Sequence, residues 1–463
     1  MALPLDSSGL DHAAKDALIE ALLKRVEAVE KANAALIKEI AELRDKLGGK
    51  PPKTPENSSI PPSQGRKPSE RTEAKPKGKG KRKGHPGAHR PLHSNPTHKL
   101  EVAAECCEHC QSGLSREGQS ARETYGHIEI PRIDPIITQI TLMGGLCPCC
   151  GKPFKAKAPK GLEPGSPFGP NLRAQAMYLR YGHGVSFERL AQAFSNLFNL
   201  NISEGALVNM INASRDAFAL QTGRIRQDLF AKGVMESDET TMRVGKKNWW
   251  LWVFHHADSA VLALKPSRGK IVIEEFLGQH RPGIWVSDRY GAQMGWAEKD
   301  QQVCLAHLVR DAQYAIDAGD KVFAPGFKRL LAYACAIGRR RDRLKDSTLR
   351  AYTFKLEASL DRLMARIPVV AAGVKLQCAI KKCRCRLFVF MANRDVPATN
   401  NGSERSLRPC AVFRKITNCF RSEWGAGFYA DIRSVIETAR RRGIGALEAI
   451  QLTLSGLPLA QAP

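Results

Sequence analysis

A multidomain α+β protein is the fold class this sequence predicts, on three observations. Near the N-terminus Ile19, Leu22, Val26, Val29, Asn33, Leu36, Ile40, Leu43 and Leu47 recur in steps of three and four, the spacing of a coiled-coil seam. Two Cys-x2-Cys pairs, Cys107/Cys110 and Cys147/Cys150, follow a stretch rich in Pro, Gly, Ser and Lys. Beyond Gly233, short apolar strands alternate with helical runs.

Composition narrows the function. The chain has 463 residues, 43% hydrophobic and 25% charged, ordinary globular values that exclude wholesale disorder and allow two to four domains of about 100–200 residues. No apolar run approaches the roughly 20 residues of a membrane span, and no N-terminal signal pattern is visible. A cytoplasmic location follows, so the 13 cysteines read as metal ligands and buried small hydrophobes, not as a disulfide framework. A net charge of +25 points to a polyanion, most simply nucleic acid. That charge is concentrated: 50–100 carries net +10 and 373–450 net +9.

The elements follow in order. Residues 11–48 read as a dimerisation helix, with Leu22, Val29, Leu36 and Leu43 at d positions and Asn33 at an a position, where a polar residue fixes register in a parallel homodimer. Residues 49–100 read as a basic flexible linker whose Lys79, Lys81, Arg82 and Lys83 could lie along phosphates. In 101–156, Cys107, Cys110, Cys147 and Cys150 suit a structural zinc ribbon, each knuckle placing two thiolates on one turn, with a strand-like run from Ile128 to Met143 between them. Cys106, Cys149 and His109 are spare ligands nearby. Residues 170–230 are helical, with Ser186 and Ser203 as N-caps, and form either a helix-turn-helix or a plain helical hairpin.

Residues 231–440 carry the chemistry. Val234 to Asp238 reads as a strand ending on a carboxylate. Asn248–Phe254 and Ala260–Leu264 are two more strands, joined by a turn at His255–Ser259. A helix around Ile273 to Leu277, a strand Gly283–Ser287 ending at Asp288, and a short strand Val303–Leu305 leading into a helix complete the run. Three antiparallel strands, helix, strand, helix and strand is the order of a ribonuclease H-like fold, whose first and fourth strands are neighbours. That would bring Asp238 and Asp288 together. Adjacent carboxylates repel unless a cation lies between them, and oxygen-only ligation suits Mg²⁺ or Mn²⁺. A third carboxylate, Glu404, follows Asn400-Asn401 in the first turn of an expected helix that Pro409 should kink or shorten. Arg405 and Arg408 flank it, available for phosphate, with Arg414 and Lys415 further along. The competing acids are Glu236, Glu239, Asp258, Glu274, Glu275 and Asp311. Asp258 reads as a turn residue and Glu274/Glu275 as an exposed helix face. Glu236 shares a strand face with Asp238 and is the hardest to set aside. Cys304 and His307 read as packing or hydrogen-bonding groups at a helix start. Cys378, Cys383 and Cys385 have poor ligand spacing.

Asn57-Ser-Ser-Ile-Pro-Pro-Ser63, Gly84-His-Pro-Gly87, the two knuckles, Ser237-Asp-Glu-Thr240, Ser287-Asp-Arg-Tyr-Gly291, Cys304-Leu-Ala-His307 and Asn400-Asn-Gly-Ser-Glu-Arg-Ser-Leu-Arg-Pro409 together resemble the bacterial transposases of the insertion sequence 66 family. The resemblance implies that Asp238, Asp288 and Glu404 match the family's DDE catalytic triad, with Thr399 where many members carry Asp. It implies a DNA transposase acting on element ends and target DNA as a homodimer or higher synaptic assembly, with accessory proteins of the same element as candidate partners, in the bacterial cytoplasm at the nucleoid. The long interval from Asp288 to Glu404 implies a helical insertion at about 318–392, and 441–463 reads as a C-terminal tail. The rival readings are a non-catalytic DNA-binding repressor and a ribonuclease H-like nuclease.

Overall fold

The computed structural model describes residues 12–47, 51–58 and 91–460. The seam residues at the N-terminus lie on one long helix, α1 (His12–Leu47). Leu22, Val26, Val29, Leu36 and Ile40 are exposed along it, so the chain leaves this apolar stripe uncovered by itself. The Leu43 side chain, and Lys79, Lys81, Arg82 and Lys83, lie outside the described residues. Part of the expected flexible linker is held in place. In 51–58 Asn57 is buried, its Nδ2 donating to the Pro52 carbonyl at 3.0 Å and to Asp317 Oδ2 at 2.9 Å.

The knuckle region contains one small hairpin, β1 (Gly144–Leu146) with β2 (Pro153–Lys155). The expected strand at Ile128–Met143 does not form. Ile128, Ile130, Ile133, Ile136 and Ile137 are exposed, with neither partner strand nor core to fold onto.

Helices α2 (Pro170–Met177), α3 (Phe187–Phe198), α4 (Glu204–Asn212) and α5 (Arg215–Phe230) follow. The Ser186 and Ser203 hydroxyls accept from Arg189 N and Ala206 N, each satisfying one of the free N–H groups at a helix start. Asn199 ends α3 in the left-handed region, φ 51°, and α2 to α4 enclose a small core around Leu190, Phe194 and Leu207.

The central sheet comprises β3 (Val234–Val244), β4 (Lys247–His256), β5 (Ser259–Lys265), β6 (Ile284–Ser287) and β7 (Asp300–Val303), with α6 (Lys270–Leu277) between β5 and β6. Its order is β5-β4-β3-β6-β7, antiparallel across the first three strands and parallel from β3 through β7. The first and fourth strands of this unit are therefore neighbours, as their order in the chain predicts. Boundaries differ. β3 runs six residues past Asp238, because β4 pairs with it as far as Val244. His255 and His256 belong to β4, so the tight turn is Ala257-Asp258. β7 stops at Val303, and Cys304 starts the next helix.

β4 is buried from Leu251 through His255 on both faces, the continuous apolar pattern of a strand covered on two sides. Phe254 stacks on Phe276 of α6 at 3.8 Å between ring centres. β5 is an edge strand, and helix α13 (Glu423–Arg441) closes it. Thr438 Oγ1 exchanges hydrogen bonds with Ala260 N and O at 3.1 Å, and Ser434 Oγ accepts from Leu262 N at 2.8 Å. Hydroxyls one helical turn apart thus satisfy an edge that would otherwise expose unpaired backbone.

A second core forms where β6 and β7 meet α7 (Leu305–Asp317), α8 (Ala324–Arg340), α9 (Asp346–Met364), α10 (Ala371–Cys383) and α11 (Val389–Ala392). These helices separate β7 from α12 (Asn401–Thr417). α12 continues through Pro409 to Thr417, so the proline does not shorten it. The segment read as a tail carries α14 (Ala446–Leu454), packed against α13 and α2. Just before it, buried Arg442 donates to Asp228 Oδ2 at 2.8 Å, Ser259 Oγ at 3.1 Å and the Leu459 carbonyl at 3.1 Å. Arg442→Met is expected to cost about 2–3 kcal/mol, since several charge-assisted bonds disappear together with the charge's own desolvation cost. A urea midpoint equal to the parent's would refute this anchor. Among the described residues no helix is long and apolar enough to cross a membrane.

Candidate active site

The parallel pairing of β3 and β6 sets Glu236 beside Val286. Continued by two residues, the same register brings Asp288 level with Asp238. α12 crosses β3 and β4 and presents Glu404 from its first turn. Burial, followed by the charges of Glu239, Asp288 and Glu404, pushes the Asp238 carboxyl well above its usual range. Asp238 therefore feels the charges of both acids expected to act with it.

The ion pairs separate these acids from their competitors. Glu239 is bound by Arg268, whose guanidinium lies 4.0 Å from the Tyr290 ring centre and 4.8 Å from that of Trp250, and by Gln293. Glu236 is buried with His255 and His256, their Nδ1 atoms 3.5 and 3.7 Å from its Oε1. Burial alone would raise its carboxyl, and the two histidines with Arg441 bring it below the usual value. Asp258 is a turn residue paired with Lys232, Glu274 and Glu275 are exposed on α6, and Asp311 is paired with Arg289. Among the described residues Asp238 and Asp288 form no ion pair. Each accepts a nearby backbone N–H instead, Glu239 N at 2.9 Å and Tyr290 N at 2.8 Å.

Glu404 has a cationic partner that sequence reasoning missed. Arg310 of α7 donates to both its carboxylate oxygens, at 2.9 and 3.3 Å. His307, one turn earlier, lies 3.9 Å from Glu404 Oε1. Burial lowers its pKa against the opposing charge of Asp288. His307 thus faces the acids, whereas Cys304 is a buried packing residue whose sulfur accepts Asn400 N at 3.0 Å. The spacing Cys304-x2-His307-x2-Arg310 was the available signal, since residues three apart share a helix face.

Of the expected phosphate contacts, Arg405, Arg408 and Lys415 are exposed along α12, while Arg414 donates to the Thr241 carbonyl and hydroxyl of β3.

Among the described residues no three His, Cys, Asp or Glu side chains converge tightly enough to hold a metal ion as placed. The donor chemistry at the sheet end still fits a hard divalent cation: the three acids offer only oxygens, and burial together with the charges of Glu239, Asp288 and Glu404 raises Asp238. The four knuckle cysteines are not gathered into one group. Nothing buried lies between the knuckles to draw them together. Each knuckle is nonetheless the same turn. Cys107 N donates to Ser112 O and Gln111 N to Cys107 O; Cys147 N donates to Lys152 O and Gly151 N to Cys147 O. Gln111 and Gly151, at matching positions, have φ of 58° and 68°. The Ser112 hydroxyl holds the Cys110 thiol below its usual value, and the Cys150 and Cys149 backbone does so for Cys147. Both turns favour the thiolate that ligates metal.

No curated protein matches the chain. A family model described as transposase IS66 family matches residues 165–427, the span holding the sheet, α7 and α12.

Proposed function

Since the chain belongs to the IS66 family of transposases, we propose that it is a DNA transposase that cuts the ends of its element and joins them to target DNA. One observation carries this reading: among the described residues Asp238 and Asp288, which share their electrostatics with Glu404, form no ion pair, whereas Glu236, Glu239 and Asp311 each have a histidine or arginine nitrogen within 4 Å. Carboxylates kept together without a permanent partner suit a transient one.

Asp238, Asp288 and Glu404 would hold divalent cations, and two such ions supply an activated attacking oxygen and a stabilised leaving oxygen when bound. Arg310 neutralises Glu404 and orients it through two parallel hydrogen bonds. Arg405, Arg408 and Lys415 would run the cut strand along α12, giving affinity that falls steeply with salt and little base discrimination. The basic linker, with Lys79, Lys81, Arg82 and Lys83, would extend that grip. The paired knuckles would close around zinc through Cys107, Cys110, Cys147 and Cys150 and, with the helices before β3, select the element ends. The exposed seam of α1, through Leu22, Val29, Asn33, Leu36 and Leu43, would pair two protomers so that both ends are cut together. The reaction would take place at the bacterial nucleoid.

The test is purified protein with a labelled element end, target DNA and Mg²⁺. Joined products are expected. Cutting without joining would make the protein a nuclease, and retarded but uncut DNA would make it a non-catalytic binding protein. The same preparation should contain one zinc per chain, and Cys107→Ser or Cys147→Ser should lower both zinc content and end binding. Full end binding by metal-free protein would sink the ribbon assignment.

A further inference from the structure

Beneath the acids runs a chain of buried polar groups that the reaction does not itself require. Asn400, at the start of α12, is 1% exposed. Its Nδ2 donates to the Ser237 carbonyl at 2.6 Å, next to Asp238. Its Oδ1 accepts from Ser403 Oγ at 2.7 Å, next to Glu404. Ser403 is fully buried, and its Oγ lies 2.8 Å from Nε2 of His255 on β4.

The order of donors is fixed by elimination. The Asn400 amide nitrogen is committed to a carbonyl, so its oxygen must accept. The single Ser403 proton goes to that oxygen, so His255 Nε2–H donates to Ser403. No member can be removed without stranding a buried partner, at a cost of about 1–3 kcal/mol each. The residue between Asn401 and Ser403 must also be small. A Cβ on Gly402 would come within 2.8 Å of His255 Cε1 and 3.4 Å of Glu236 Oε2.

We infer that Asn400, Ser403 and His255 are positioning residues: they fix the register of α12 on β3 and β4 and so the place of Glu404 relative to Asp238. None of them would touch DNA or cation. This rests on the proposed reading of the site, and it adds the device that locates the third carboxylate. A general core network would affect folding alone. A positioning chain affects the geometry of a site whose other members, Asp238 and Asp288, lie on β3 and just past β6.

The test uses the full chain carrying Ser403→Ala, His255→Leu or His255→Gln. Glutamine can donate from near the Nε2 position, whereas leucine fills space without a donor. Three readouts are compared: end-DNA affinity without divalent ion, Mn²⁺ affinity by calorimetry without DNA, and the single-turnover cleavage rate against its half-saturating DNA concentration. Ser403→Ala and His255→Leu are expected to weaken Mn²⁺ binding and slow cleavage by about 10–100-fold, the usual effect of losing a group that orients metal ligands. DNA affinity and half-saturation should stay within about twofold, and His255→Gln should recover most of the loss. Unchanged rate and Mn²⁺ affinity in Ser403→Ala would overturn the inference, as would equal losses with leucine and glutamine. If His255→Leu fails to fold, Ser403→Ala, which removes one oxygen, decides alone. A parent chain that binds Mn²⁺ but cuts nothing would refute the transposase reading while the Mn²⁺ arm still judges the relay. A parent chain that does neither overturns both.

Discussion

Asp238→Asn is expected to abolish end cleavage while making the folded chain harder to unfold. Cleavage should fall by about 10³-fold or more, because a ligand that helps a cation stabilise transition-state charge is worth several kcal/mol. Stability should move the other way. The Asp238 carboxyl is raised first by burial and then by Glu239, Asp288 and Glu404, so its charge opposes folding at neutral pH. Asparagine keeps the shape and removes the charge. Thermal unfolding at pH 7 without divalent ion, measured beside the cleavage assay, checks both halves. A variant that cuts normally would remove Asp238 from the site, and one that is less stable would mean the acids do not repel as placed. Both effects would have one cause, because carboxylates gathered to hold a cation repel one another without it.

The sheet was legible because its signals are local. Strand signals at Val234–Asp238, Asn248–Phe254 and Ala260–Leu264, a helix, a further run before Asp288 and a short one at Val303–Leu305 order five strands, and that order makes β3 and β6 neighbours. The expectation that Asp288 lies near Asp238 needed nothing more than this order. Glu404 came from its motif and its place in a first turn. What escaped were groups whose role exists only once helices are packed. Arg310 looks like any surface arginine until α7 is laid beside α12. His255 read as a turn residue because the two-residue bend at Ala257-Asp258 leaves it inside β4. Asn400 stands at the N-cap of α12, yet its side chain bonds Ser237 and Ser403 and none of the helix's free N–H groups. α14 escaped because its nine residues carry too short a pattern to stand out. The two knuckles illustrate the opposite limit. Each turn follows from four or five residues, while nothing in either turn brings the other to it.

Glu437→Gln is expected to cost about 3–5 kcal/mol at neutral pH, the loss that follows breaking a buried ion pair from one side. Glu437 is 1% exposed on α13, accepting Ser406 Oγ at 2.7 Å and donors of Arg440 and Arg441 at 2.6–3.1 Å. Burial alone would raise its carboxyl. The Arg440 hydrogen bonds, the Arg441 charge and the Ser406 hydroxyl outweigh it and bring the pKa down to about 2 from 4.5. A folded pKa below the unfolded one contributes stability that is complete above pH 4.5 and is lost as pH falls toward 2. His255 adds an earlier acid-sensitive window. Burial pushes it down to about 4 from 6.5, so its contribution is complete above pH 6.5 and lost on the way to 4. On acidification His255 is opposed by Asp431, raised to about 6, and by Asp238, which gain stability as they take up protons, so urea unfolding of the parent should show its clearest loss below pH 4.5. The Glu437→Gln variant should keep the changes above pH 4.5 and lose that one. A variant whose stability still falls between pH 4.5 and 2 as the parent's does would show that this carboxylate is not the group responsible. Because Ser406 lies two residues after Glu404 on α12, the same substitution should also slow end cleavage, through the seat of the helix and not through any contact with DNA.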